Sequence, residues 1–223
     1  MLTIPPVAYL RIMALYREWE INNTALAAIW HIEEPESFFA EGTGIDTTIK
    51  SEKRRIEHLC GRYLLKHLKE DIALHKITPD EHDKPRIENN EPFFSISHSW
   101  PYVAAVVDTH GEAGIDIQVP HERIQTIQHK FLSEDEQGLF KNRPELITIG
   151  WCAKEAVYKW QGRRGIEFIE GLPITHFKRN AVDFDMSIYS KITVPAKMIH
   201  INGFDNQQFT CAWVEGWQAW EIY

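Results

Sequence analysis

The chain has few cysteines and no pair of them spaced as CxxC. Cys60, Cys152 and Cys211 each sit in an apolar pattern, which excludes a disulfide frame or a thiolate zinc site and leaves buried, reduced thiols. No apolar run approaches the roughly 20 residues that cross a bilayer, and the first residues show no basic segment followed by an apolar block. A cytoplasmic protein without a membrane role is therefore expected. Excess positive charge is missing too: 24 Lys and Arg stand against 32 Asp and Glu, a net charge of −8. That balance argues against binding nucleic acid by broad counterion release. There is no GxxxxGK[ST] phosphate loop, GxGxxG, HExxH or GxSxG, so Ser97 and Ser99 have no recognisable nucleophile setting. No low-complexity linker or strong internal repeat divides the 223 residues, which suffice for one or two compact units.

What is present centres on two short segments, Gly114-Ile115-Asp116-Ile117 and Trp151 to Lys159. Asp116 is the one charge in an apolar run of strand character, and an ionised carboxylate is costly to bury unless a cation or donors compensate it. In the second segment a helix stacks Trp151, Glu155 and Lys159 on one side, with Lys154 and Tyr158 on the adjacent stripe. Alone, the Glu155/Lys159 pair is an ordinary helix-surface salt bridge worth about 0.3–0.5 kcal/mol. With Asp116 on one strand and Ser97-His98 at the end of another, it reads as a divalent-metal site for phosphate chemistry. Magnesium takes one or two carboxylates and fills its remaining positions with phosphate and water.

The remaining pattern is mixed. A strand is expected over Leu26 to Ile32, then an amphipathic helix from about Ser51 to Lys69, with Ile56, Leu59, Cys60, Tyr63 and Leu64 at spacings of three and four and Ser51 as N-cap. Lys50, Lys53, Arg54 and Arg55 open that helix, as a solvated face or as a phosphate-binding edge. Strands at Phe93 to Ser97 and Tyr102 to Val107 flank Ser99-Trp100-Pro101. After the Asp116 strand and a polar segment from Pro120 to Lys130, Ser133 and Glu136 form a capping box. Pro144 suits the first turn of a helix that ends at Gly162. Strands follow at Ala181 to Tyr189, Ala196 to Ile201, Gln208 to Val214 and Trp217 to Tyr223, the last two read as a hairpin about Glu215-Gly216. Helices among mainly antiparallel strands make the class α+β.

Phe94 to Ser99, Gly114 to Ile117 and Trp151 to Lys159 with its Lys154-Glu155-Ala156 centre stand in an order and approximate spacing that resemble the Sfp-type 4'-phosphopantetheinyl transferases. Lys84-Pro85 resembles the Lys-Pro that precedes the family's serine and histidine motif, and Ala28 to Ile32 and Phe131 to Glu136 are similar as well. The resemblance runs from about Leu26 to Ile166. It implies a pseudo-dimer of two similar α+β subdomains, here 1–111 and 112–223, with coenzyme A and magnesium in the cleft between them. It implies transfer of the phosphopantetheine arm of coenzyme A to a serine of an acyl or peptidyl carrier protein, releasing adenosine 3',5'-bisphosphate. The carrier would serve fatty-acid, polyketide or nonribosomal peptide synthesis. Carried over by residue, Asp116 and Glu155 are metal ligands and Glu155 is also the base. Lys159 neutralises pyrophosphate charge, Ser97 and His98 hold phosphate oxygens, and Lys84 with Pro85 meets the adenine end. Arg54, Arg55 and Arg62 are unranked candidates for the 3'-phosphate. Two fused halves imply a monomer.

This chain departs from the family in two places. Where relatives often carry a second acid two residues after the strand aspartate, it has Gln118, which can still offer an amide oxygen to the metal from the same strand face. Gly162-Arg163-Arg164-Gly165 is one residue longer than the family's glycine turn. The lost acid keeps open a second reading, a coenzyme A- or carrier-binding scaffold without turnover. For a carrier, Ile124 to Phe140 offers either an apolar groove for a helix or ordinary core packing.

Overall fold

The computed structural model describes residues 14–87, 91–141 and 143–219. The fold is α+β, and the chain divides into two compact units. Unit 1 comprises residues 1–78 and 85–111, and unit 2 comprises residues 79–84 and 112–223.

In unit 1 the strands β1 (Leu15–Asn22), β2 (Ala25–His31), β5 (Phe93–Ser99) and β6 (Tyr102–Asp108) form an antiparallel sheet in the order β1-β2-β6-β5. Helices α1 (Glu36–Thr43) and α2 (Glu52–Leu68) lie between β2 and a small ribbon of β3 (Ile77–Pro79) with β4 (Pro85–Ile87). The apolar stripe of α2 is the one its spacing predicts: Ile56, Leu59, Cys60, Tyr63 and Leu64 share a core with Trp30, Val103, Ala105 and Val107. Gly61 lets the helix approach β5, since a Cβ there would lie 2.9 Å from Cγ2 of Ile96. Ser51 stands at the N-cap position but its side chain makes no cap hydrogen bond. The helix entry is held instead by Arg55, which donates to the Ile49 and Lys50 carbonyls and to Glu36 of α1.

In unit 2 the sheet runs β7-β11-β10-β9-β8, with β7 Ile115–Gln118, β8 Ile174–Asn180, β9 Asp183–Ser190, β10 Lys197–Asp205 and β11 Thr210–Ala219. The short helices α3 (Glu122–Thr126) and α4 (Glu134–Phe140) precede the long α5 (Pro144–Gln161), and α6 (Phe168–Gly171) follows it. The Ser133/Glu136 capping box forms in both directions, Pro144 occupies the first turn of α5, and Gly162 closes that helix in the left-handed conformation at φ 73°. The expected hairpin at Glu215-Gly216 does not form. Val214 faces Ile201 and Gly216 faces His200, so Glu215 is the extra residue of a β-bulge inside a single strand, a common place for glycine in a strand. The expected strand end at residues 220–223 lies outside the described residues.

The elements not anticipated include the short β3, β4, α3 and α6 and, more notably, β1, α1 and β8. β1 and β8 are sheet edges that leave most of their side chains in solvent, so apolar alternation is weak, while α1 is only eight residues long. Among the described residues no helix is long and apolar enough to cross a membrane.

Candidate active site

Asp116 lies in the middle of β7, directly across from Ala212 of β11. Ala212 belongs to the core that receives α5, and its small side chain leaves room for the carboxylate beside it. Strand and helix meet at Gly114. A Cβ there would stand 2.2 Å from the Ala156 carbonyl oxygen and 2.9 Å from the Trp160 nitrogen. Both are backbone atoms that cannot swing aside, so only glycine permits this approach. It brings the buried Asp116 against the α5 face that carries Cys152, Glu155 and Lys159. The Lys159 ammonium donates to Oδ1 of Asp116 at 2.6 Å while remaining 25% exposed. Burial raises the pKa of Glu155 from the usual carboxylate value to about 7; the charge of Asp116 adds to the shift and Lys159 opposes it. The Cys152 thiol is fully buried and is pushed well up, first by burial and then by Asp116; it donates to the Thr210 carbonyl at 3.7 Å.

Gln118 follows at the end of β7 with its amide nitrogen on the Val119 carbonyl at 2.8 Å. Asp116 and Glu155 are two hard-oxygen groups, one buried and one half-buried, whose charges oppose each other, the condition that a divalent cation relieves. Carboxylate oxygens of this kind are the hard ligands that magnesium takes. Among the described residues no group of three or more His, Cys, Asp or Glu is arranged to hold a metal, so a cation here would draw its remaining oxygens from substrate and water.

The two lysines of the Trp151 to Lys159 motif have separate fates. Lys154 is fully buried and donates to both oxygens of Glu136 at 2.9 and 2.8 Å, to the Phe131 carbonyl at 2.7 Å and to the Phe168 carbonyl at 3.3 Å. It is a structural tie, and only Lys159 faces Asp116. Lys84 also belongs to unit 2, where it pairs with Glu112 at 2.7 Å and donates to the Trp160 carbonyl at 3.0 Å. Pro85 is the exposed first residue of β4.

The other expected residues lie in unit 1. Phe94 and Ile96 of β5 pack toward α2, so His98 faces the helix side and the buried Ser97 the opposite side of the sheet; the two adjacent residues do not share a face. His98 Nδ1 lies 3.4 Å from Oε2 of Glu57 on α2. The adjacent stripe of α2 carries His58, whose pKa is lowered by burial, Arg62 and His98, and Arg62, whose pKa is lowered by burial alone. The three arginines are now distinguishable. Arg55 is committed to Glu36 in a two-pronged pair, Arg54 is exposed, and Arg62 is the half-buried one beside the histidines. Glu57 was missed in the sequence, although an acid one residue after Ile56, inside an apolar helix stripe, is the signal that drew attention to Asp116. The apolar residues between Ile124 and Phe140 are core: Ile124, Phe131, Leu132 and Phe140 are buried, and of these helices' large apolar side chains Leu139 stands exposed.

Residues 112–214, which contain Asp116, Glu155 and Lys159, match the family model of the 4'-phosphopantetheinyl transferase superfamily. That stretch, a little under half of the chain, is similar to the superfamily's domain. Among curated proteins it is similar to a putative 4'-phosphopantetheinyl transferase of Haemophilus influenzae, 32% identical over 118 residues that make up 49% of this chain and 50% of that protein. It is also similar to 4'-phosphopantetheinyl transferase AcpT of Salmonella typhi and of Salmonella typhimurium, 29% identical over 117 residues, 49% of this chain and 60% of those proteins. The chain thus spans about half the length of the curated relatives it matches.

Proposed function

We propose that the protein is a magnesium-dependent phosphopantetheinyl transferase of the Sfp type. It would move the phosphopantetheine arm of coenzyme A to a serine of an acyl or peptidyl carrier protein. The observation that carries this reading is the meeting of the buried Asp116 with the half-buried Glu155 and Lys159 inside the segment that matches the superfamily. Asp116, Glu155 and the Gln118 amide oxygen are the groups that would hold magnesium, which when bound neutralises pyrophosphate charge.

Attack on a pyrophosphate needs charge neutralisation and in-line positioning more than covalent catalysis. The serine oxygen bonds to the phosphorus on the pantetheine side, and the bond from that phosphorus to the bridging oxygen breaks. Adenosine 3',5'-bisphosphate leaves with the electron pair. Glu155 takes the hydroxyl proton; a carboxylate poised near neutral pH is suited to this. Lys159 stands beside it as the partly exposed cation that meets the growing charge on the leaving phosphate. For coenzyme A binding, Lys84 and Pro85 serve the adenine end and His98 a phosphate oxygen. Arg62, half-buried and flanked by His58, is favoured over Arg54 and Arg55 for the 3'-phosphate, because half-burial strengthens its field and no described carboxylate pairs with it.

The test is intact-mass analysis of an apo carrier protein incubated with the protein, coenzyme A and magnesium, with and without EDTA. A gain of one phosphopantetheine arm that disappears with EDTA is expected. Coenzyme A binding without transfer to any carrier would favour the scaffold reading, with Gln118 as its basis. Failure to bind coenzyme A would refute both.

A further inference from the structure

We propose that Glu57 is a positioning residue that acts through His98: its buried carboxylate accepts the Nδ1 proton of the imidazole, turning Nε2 outward and holding the ring as the cation that donates to a phosphate oxygen. This deepens the reading above and rests on His98 meeting a phosphate of coenzyme A.

The geometry supports it on both sides of the contact. The Glu57 side chain is 6% exposed and that of His98 is 53% exposed, with Oε2 and Nδ1 3.4 Å apart. A carboxylate is not placed in the apolar stripe of a helix without cost, and this one looks toward a half-exposed imidazole at the end of β5. The groups set against His98 explain why a counter-charge is needed. From α2 come Glu57, His58 and Arg62; Val103 of β6 lies across the strand pair; and β4 brings Arg86 only to the Phe93 end of the strand. Arg62 carries a permanent charge and His58 adds to it when protonated. Two neighbouring cations disfavour an imidazolium, and the Glu57 carboxylate offsets them. With Nδ1 bound to a carboxylate, the tautomer and ring orientation are set, as for histidines whose second nitrogen is tied to an acid.

The sign of the outcome discriminates. Simple electrostatics says that removing an anion near a polyanion's site tightens binding. The positioning role says that Glu57→Gln weakens it, because the ring loses its charge and its anchor. Calorimetric binding of coenzyme A is to be measured for the wild type, Glu57→Gln, His98→Ala and the double variant, each checked for folding by circular dichroism. The His98 pKa is to be read by NMR in the wild type and in Glu57→Gln.

The expected result is affinity lowered about tenfold by Glu57→Gln, the size of one lost charge-assisted hydrogen bond. No further loss is expected when the change is made in the His98→Ala background, and the His98 pKa should fall in Glu57→Gln. Tighter or unchanged binding, an equal loss in both backgrounds, or an unmoved His98 pKa overturns the proposal. Wild-type protein that fails to bind coenzyme A overturns the functional reading instead, and the His98 titration still decides the Glu57 pairing.

Discussion

Replacing Lys154 by methionine separates two lysines that the sequence presents alike. The Lys154 side chain is 0% exposed and that of Glu136 is 7% exposed. The ammonium joins four segments: α5, which bears it, α4 through Glu136, and the carbonyls of Phe131 and Phe168. Burial already pulls the Lys154 pKa down, and Glu136 is what holds it up. Methionine fills similar volume but leaves a buried carboxylate without its cation. Removing one partner of a buried ion pair costs about 3–5 kcal/mol. Glu136 keeps the amides of Ser133 at 2.9 Å and Ile174 at 2.7 Å, which favours the lower part of that range. At about 2–4 °C per kcal/mol for a protein of this size, Tm should drop by about 6–20 °C. The assay is thermal unfolding followed by circular dichroism, with coenzyme A binding measured well below the transition. Folded Lys154→Met protein should still bind. A Tm within about 2 °C of wild type would refute the buried-pair reasoning, since no surface ion pair behaves otherwise.

Glu155→Gln should abolish transfer yet stabilise the metal-free protein above neutral pH. The Glu155 pKa is raised in the folded state from the usual carboxylate value to about 7, so its stabilising share is full below the unfolded value and lost as pH rises through the folded one. At pH 8 in EDTA, glutamine removes that penalty, a gain of about 1–3 kcal/mol in denaturant melts; equal stability of the two proteins at pH 8 contradicts the burial of this carboxylate. Gly114→Ala forces a Cβ against the backbone of α5 and should cost about 1–3 kcal/mol or more, as overpacking does. It should also weaken manganese binding read by electron paramagnetic resonance, because β7 must retreat from Glu155. Unchanged melting and metal affinity would show that the approach at Gly114 does not hold Asp116 in place.

The elements that bury an apolar stripe were legible in the sequence. α2 carries helical periodicity, β2 and β6 read as short apolar runs buried on both faces, and the Ser133/Glu136 box and Gly162 mark ends by side-chain and backbone chemistry. β1 and β8 were not legible because edge strands have one neighbour and little to bury, and Glu215-Gly216 misled because a bulge and a turn make the same demand for a small, permissive residue. Asp116, Glu155 and Lys159, singled out by type and spacing, stand together between β7 and α5. What periodicity does not encode is which of two adjacent side chains faces a given layer. Ser97 and His98 therefore separate, and Lys154 turns into the core one residue before Glu155.

Buried acids alone do not mark function here, and the identity of their partners does. Glu136, Glu57 and Asp116 are all buried. Glu136 meets a lysine with no exposure and two backbone amides, so its charge is consumed within the core and can act only on stability. Asp116 meets Lys159, 25% exposed, and Glu57 meets His98, 53% exposed. In these pairs the buried acid meets a partly exposed partner. Among these three pairs the exposure of the partner, rather than burial of the acid, is what differs, although Asp205 with the 25% exposed Arg179 shares the open pattern. By that criterion substitutions at Glu136 should change melting first, while those at Asp116 and Glu57 should change ligand affinity out of proportion to melting.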